Sequence, residues 1–197
     1  PLGVFYLPHC KGLVKNENGS YFYDIEDLDH NGNVDLSDGG DRYIAGQATP
    51  KVILGSNISF RYKNYYISIQ MNGAFGHKIF NGTGLAYTSM ACFPDYNVLK
   101  DAPKKNIVDQ RVSDYWLEKG DYLNFEHLTI GYNVPLRSKF IRSLRVSCNI
   151  SNIGTITGYK GLTPMINSYV VNSTMGIDDK RNYPLYRTYS LGLSVQF

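Results

Sequence analysis

From Thr188 to Phe197 the side chains alternate without interruption. Tyr189, Leu191, Leu193, Val195 and Phe197 take one side, and Thr188, Ser190, Gly192, Ser194 and Gln196 take the other. Successive side chains of a strand point to opposite faces, so this period of two marks a strand with one oily and one wet surface. Four more stretches repeat it. In 54–62, Leu54, Ile58, Phe60 and Tyr62 oppose Asn57, Ser59 and Arg61. In 65–75, Tyr65, Ile67, Ile69, Met71 and Phe75 oppose Tyr66, Ser68, Gln70 and Asn72. In 143–153, Leu144, Val146, Cys148 and Ile150 oppose Arg145, Ser147, Asn149 and Ser151. Stretch 122–132 slips phase between Phe125 and Leu128, which predicts a bulge near Glu126-His127. The terminal stretch is taken as 187–197.

The expected class is therefore all-β and antiparallel. Each run has the length of about 9–11 residues that a tilted strand needs to cross a hydrocarbon layer. No run of about 18 apolar residues exists, so a membrane helix is excluded and a barrel is the remaining way to span. The connections alternate too. Lys63-Asn64 and the Asn133–Arg142 link are short, whereas 76–121, 154–186 and everything up to about residue 51 are long and irregular. Tight turns on one side and extended loops on the other are the habit of outer-membrane barrels. If Phe197 ends in the periplasm, all three long segments lie outside. Five strands cannot close a barrel, which takes about eight, so the chain reads as part of a larger wall. Periodicity by itself fits a soluble β-sandwich as well.

Composition narrows the classes. Tyrosine is abundant, at 17 residues beside 19 Gly, which suits strands and membrane interfaces. A net charge of +3 without a basic run gives no case for nucleic acid. Cys10, Cys92 and Cys148 fit no zinc spacing or disulfide framework. The opening Pro1-Leu2-Gly3 carries no secretory leader, and the reading favours a piece lacking its true N-terminus. Trp116, near Tyr115 and Tyr122, is assigned to an interfacial aromatic belt, with sugar stacking as the alternative. No catalytic constellation emerges: the four histidines show no ligand spacing, and Asp178-Asp179 and Asp109 with Asp114 read as solvated turn residues. The chain is not expected to be an enzyme.

One motif carries chemistry. Residues 27–38 match a twelve-residue calcium loop: Asp27, Asp29 and Asn31 at positions one, three and five, and Gly32 at the sharp turn. Asn33 offers its carbonyl at seven, Asp35 stands at nine, and Asp38 closes the loop at twelve. Calcium takes six to eight hard oxygens, and this spacing wraps them around one point. Asp38 departs from the Glu of signalling loops, and the flanks are poor helix material, so the expected role is a structural clip. An Asx-rich turn that needs no metal fits the same residues.

Several segments together carry a resemblance. They are Pro1-Leu2-Gly3-Val4-Phe5-Tyr6, the acidic loop, Ile44-Ala45-Gly46-Gln47-Ala48-Thr49-Pro50-Lys51, Phe60-Arg61-Tyr62-Lys63-Asn64-Tyr65 and Tyr122–Pro135. Ser151-Asn152-Ile153, Tyr159-Lys160-Gly161, Tyr183-Pro184 and Gly192-Leu193-Ser194-Val195-Gln196-Phe197 complete them. In this order they resemble the C-terminal end of SusC/RagA-type TonB-dependent transporters of the Bacteroidetes outer membrane. The departure is Gly161-Leu162-Thr163-Pro164-Met165, where the family usually has Gly-x-Asp-Pro-Glu. The resemblance implies a large barrel importing glycans or peptides beneath a SusD-like surface lipoprotein, powered through TonB by a preceding region. It implies that Phe197 is the terminal aromatic read by the barrel-assembly machinery. The alternatives are a secreted, calcium-stabilised β-sandwich that binds carbohydrate and a passive porin.

Overall fold

The computed structural model describes residues 3–37, 39–137, 140–166 and 175–197. Pro1, Leu2 and Asp38, and part of the 154–186 segment, lie outside the described residues. In chain order the strands are β1 (Val4–Leu7), β2 (Cys10–Lys15), β3 (Tyr21–Ile25), β4 (Tyr43–Gln47), β5 (Val52–Tyr62) and β6 (Tyr65–Phe75). Then come β7 (Lys78–Asn81), helices α1 (Gly82–Thr88) and α2 (Ala102–Lys105), and β8 (Leu117–Lys119). The chain finishes with β9 (Tyr122–Val134), β10 (Ser143–Thr157), β11 (Ile177–Asp178) and β12 (Thr188–Gln196). No helix among the described residues is long and apolar enough to cross a membrane.

The elements divide into two units. One gathers 51–75, 121–158 and 184–197 into a single antiparallel sheet of order β12-β10-β9-β6-β5. Lys63 takes a left-handed φ of 54°, reversing the chain within two residues between β5 and β6. The sheet is open, with β5 and β12 at its edges, and does not close into a barrel. The phase slip in β9 is a bulge. Gln70 pairs with His127 and Met71 with Phe125, so Glu126 has no opposite residue on β6. Across β10, Asn152 and Ile153 bridge the same irregularity. Leu123 and Phe125 thereby rejoin the oily face of Leu128 and Ile130.

The other unit is built from 1–50, 76–120 and 159–183, the three stretches whose sequence suggests irregular loops. Their described residues form ordered strands and short helices around a core. Residues far apart in sequence converge on a core of Phe5, Cys10, Tyr23, Ile25, Ala48, Phe80, Ile107 and Trp116. Two antiparallel pairs, β1-β4 and β2-β3, and a three-stranded sheet of order β11-β7-β8 surround it. Trp116 is thus corrected from a belt residue to a core residue. It is 6% exposed, and its Nε1 donates to the Tyr23 hydroxyl at 2.9 Å. Burial raises the tyrosine pKa beyond its ordinary value. A buried indole N–H needs such a partner, and Tyr23 supplies it from β3.

Two carboxylates, part-buried Asp114 and buried Asp178, fasten this unit. Asp114 accepts from His9 Nδ1 at 2.6 Å, from the Cys10 amide at 2.7 Å and from the Tyr43 hydroxyl at 2.7 Å. Burial opposes its charge, but these three donors outweigh it and hold the carboxyl below the ordinary value. Tyr43 is pushed up to about 12 by burial and by its bond to that carboxylate. Asp178 accepts from the Tyr159 hydroxyl at 2.7 Å and from Thr83 Oγ1 at 2.8 Å, tying residues around 159 and 178 to α1. Neither acid is a solvated turn residue, as Asp114 and Asp178 were expected to be.

Candidate functional site

The acidic loop leaves β3 after Ile25, and its own amides shape it. Asp27 accepts the Gly32 amide at 2.7 Å and the Asn31 amide at 3.3 Å. Asp29 takes the Asn31 amide at 3.1 Å and its side-chain Nδ2 at 2.7 Å. Asn31 Oδ1 then receives the Asn33 amide at 2.8 Å. His30 and Gly32 sit at left-handed φ values of 59° and 87°, which tighten the turn. The Gly32 amide is the main reason that the Asp27 pKa is lowered, and the Ser37 amide does the same for Asp35.

The residue missing from the twelve-position reading is Asp41. It is fully buried and accepts the amides of Leu28 at 2.6 Å, Asp29 at 3.3 Å and Asp35 at 2.7 Å. Gly40 lets the chain return under the loop, because a Cβ there would collide with the Asp35 carbonyl. Carboxylate oxygens of Asp27, Asp29 and Asp41 lie within 4.8 Å of one another. The structure therefore brings Asp27 and Asp29 together with Asp41. Asp35 is turned to its own Ser37, whose amide and hydroxyl it accepts at 2.9 and 2.8 Å. Asn31 and Asn33 are exposed at the loop tip. Three crowded carboxylates make a hard-oxygen set of the kind a divalent cation prefers. The hydrogen-bonded Asx turns also hold the loop's shape by themselves.

The five-stranded sheet is the larger feature. Its registers align the oily side chains of every strand into continuous rows. Tyr62, Tyr65, Tyr132, Val146 and Leu193 form one row, followed by Phe60, Ile67, Ile130, Cys148 and Leu191. Ile58, Ile69, Leu128, Ile150 and Tyr189 form the next. These rows are open: Phe60 is 64% exposed and Leu191 85%. The opposite face is polar and cross-linked between strands. Ser59 Oγ meets Ser68 Oγ at 2.9 Å, Thr129 Oγ1 donates to Asn149 Oδ1 at 2.9 Å, and His127 Nδ1 meets Ser151 Oγ at 3.1 Å. Arg145 donates to Asn133 Oδ1 at 2.9 Å and stacks on Tyr66, its guanidinium 5.3 Å from the ring centroid. That ring lies across Gly131, where any Cβ would strike it. Phe197 follows β12 and is 78% exposed.

No family model matches the chain. Among curated proteins, the TonB-dependent receptor P3 of Formosa agariphila is 28% identical over 228 residues, covering 100% of this chain and 22% of that protein. The TonB-dependent receptor SusC of Bacteroides thetaiotaomicron is 27% identical over 198 residues, covering 93% of this chain and 18% of that protein. Over almost its whole length the chain is similar to TonB-dependent receptors of the SusC/RagA type. It spans about a fifth of the length of these relatives, which are named as receptors rather than enzymes. The fold is shared with the RagAB peptide transporter, at a TM-score of 0.73 and 17% identity over 100% of this chain and 23% of that one. The RagAB importer in its 'open-open' state gives a TM-score of 0.72 at 18% identity, over 98% of this chain and 22% of that one.

Proposed function

We propose that this receptor chain supplies the C-terminal wall of an outer-membrane β-barrel and part of its external surface. The observation that carries this reading is the continuous, exposed oily face running across all five strands above two unpaired sheet edges. In water such a face would aggregate, whereas in lipid it is the expected outer surface, and further strands would satisfy both edges. The sandwich alternative needs a second sheet over those rows, and they are open. The short links at Lys63-Asn64 and 135–142 would face the periplasm, with the long segments outside. Within the whole receptor the wall would serve import of glycans or peptides beneath a SusD-like lipoprotein, with energy delivered through TonB. Phe197 would be the residue read by the barrel-assembly machinery. The acidic loop is proposed as a calcium clip on the external unit, held by Asp27, Asp29 and Asp41, with Asn31, the Asn33 carbonyl, Asp35 and Asp38 as the remaining candidates.

Single cysteines carrying a fluorophore test the wall. In the intact receptor in a bilayer, a label at Phe60 is quenched by lipid-borne nitroxide and a label at Ser59 by water-soluble iodide. Iodide quenching of both labels would reject the membrane wall.

A further inference from the structure

The end of the sheet that holds the two short links carries cations and no Asp or Glu. No Asp or Glu occurs between Asp41 and Asp95, between Glu126 and Asp178, or after Asp179. Within the sheet unit the acids are therefore Asp121 and Glu126, both placed away from the end that holds the two short links. At that end stand Lys63 in the β5–β6 turn and Arg137 and Arg142 in the β9–β10 link. No ion pair among the described residues involves these three. They sit among exposed apolar and aromatic side chains: Tyr62, Tyr65, Leu136, Phe140 and Phe197. Lys63 Nζ lies 5.4 Å from the centroid of the Tyr62 ring, and Tyr62 belongs to the oily face. Arg142 donates its amide to Gln196, so it stands at the first step of the β10–β12 ladder.

Aromatic rings beside cations, without an Asp or Glu side chain among them, fit the boundary between hydrocarbon and phosphate. The rings match the level where acyl chains meet headgroups, and the cations match the phosphates just above. Arg61 and Arg145, by contrast, fall on the polar face of the same end, and Arg145 is occupied by Asn133 and Tyr66.

We infer that Lys63, Arg137 and Arg142 form a rim that binds the phosphate groups of anionic phospholipid in the leaflet this end meets. The inference rests on the membrane-wall reading. It adds to that wall a preference for lipid charge, which a purely hydrophobic belt would lack. The rim would fix the depth of the sheet, because lifting it into hydrocarbon or out into water would strip phosphates from all three cations.

The test uses the intact receptor with its partner protein, purified in detergent and offered phosphatidylglycerol or phosphatidylethanolamine. Retained lipids are counted by native mass spectrometry. Phosphatidylglycerol is expected to be retained preferentially, and Lys63→Gln alone should lower that preference about five-fold. The triple change Lys63→Gln, Arg137→Gln, Arg142→Gln should abolish it, while Lys63→Arg, Arg137→Lys, Arg142→Lys should keep it. Arg61→Gln, on the polar face, should leave it unchanged. Equal lipid preference in the parent and the triple glutamine variant would overturn the rim, as would a loss equally large in Arg61→Gln. Quenching of the Phe60 label by lipid nitroxide, measured on the same variants, separates failure of the rim from failure of the wall.

Discussion

Ile79 and Ile107 are sealed from solvent, whereas Ile58 and Ile130 keep 54% and 44% of their surface exposed. The same side chain is treated in opposite ways in the two units. In the compact unit, three segments supply a few apolar residues each and fold them against one another. In the sheet, five strands spend their oily side chains on an outward surface and keep their hydrogen-bonded polar side chains on the other. Tyrosine divides likewise: Tyr23 and Tyr159 are buried with hydroxyl partners, while Tyr62 and Tyr189 stand open on the oily rows. A core inside water and a surface inside lipid can use one alphabet. What separates them is whether anything packs on top.

That contrast can be broken in three places, in falling order of effect. Trp116→Ala should cost the compact unit about 3–5 kcal/mol by emptying its core and orphaning the Tyr23 hydroxyl. Limited proteolysis of the intact receptor would show cleavage within 1–50 and 76–120, and an unchanged digest would mean the core contributes little. Val146→Arg should impair insertion by about 2–4 kcal/mol near mid-bilayer, while Ser147→Arg, one residue along, should be tolerated. An insertion assay ranking them the other way would exchange the two faces. The smallest effect is expected at the acidic loop. Asp29→Asn should remove calcium-dependent protection of residues 27–41 from protease, whereas Asp41→Asn should loosen the loop with or without calcium, since that carboxylate holds three amides. Equal protection in chelator and in calcium for the unaltered loop would leave the Asx turns as its only support.

The sheet was legible because alternation is a local property. Leu191 and Ser190 declare their faces without reference to any other strand, and even the slip at Glu126 leaves its mark as two oily residues out of phase. The compact unit was not legible, because its core draws single residues from distant places. Ile107 belongs to no periodic run, and Trp116 beside Tyr115 has the same local appearance in a core as at a membrane interface. Asp41 escaped for a different reason. A twelve-position template stops at Asp38, and the Gly39-Gly40 pair that sends the chain back under the loop looks like an ending rather than a return. The polar face was visible as composition, but the resting place of Tyr66 over Gly131 depends on a neighbour more than 60 positions away.

The parallel pairing of β11 with β7 joins Ile177 to Phe80 and Asp178 to Asn81. Its timing matters during folding. Residues 82–176 separate the two strands, so Thr83 has no Asp178 to bond until that whole segment has folded back. Closing a loop of that length is slow compared with zipping a hairpin such as β5–β6. The compact unit is therefore a late arrival, and until Ile177 docks, Phe80 on β7 lacks one of its two strand neighbours.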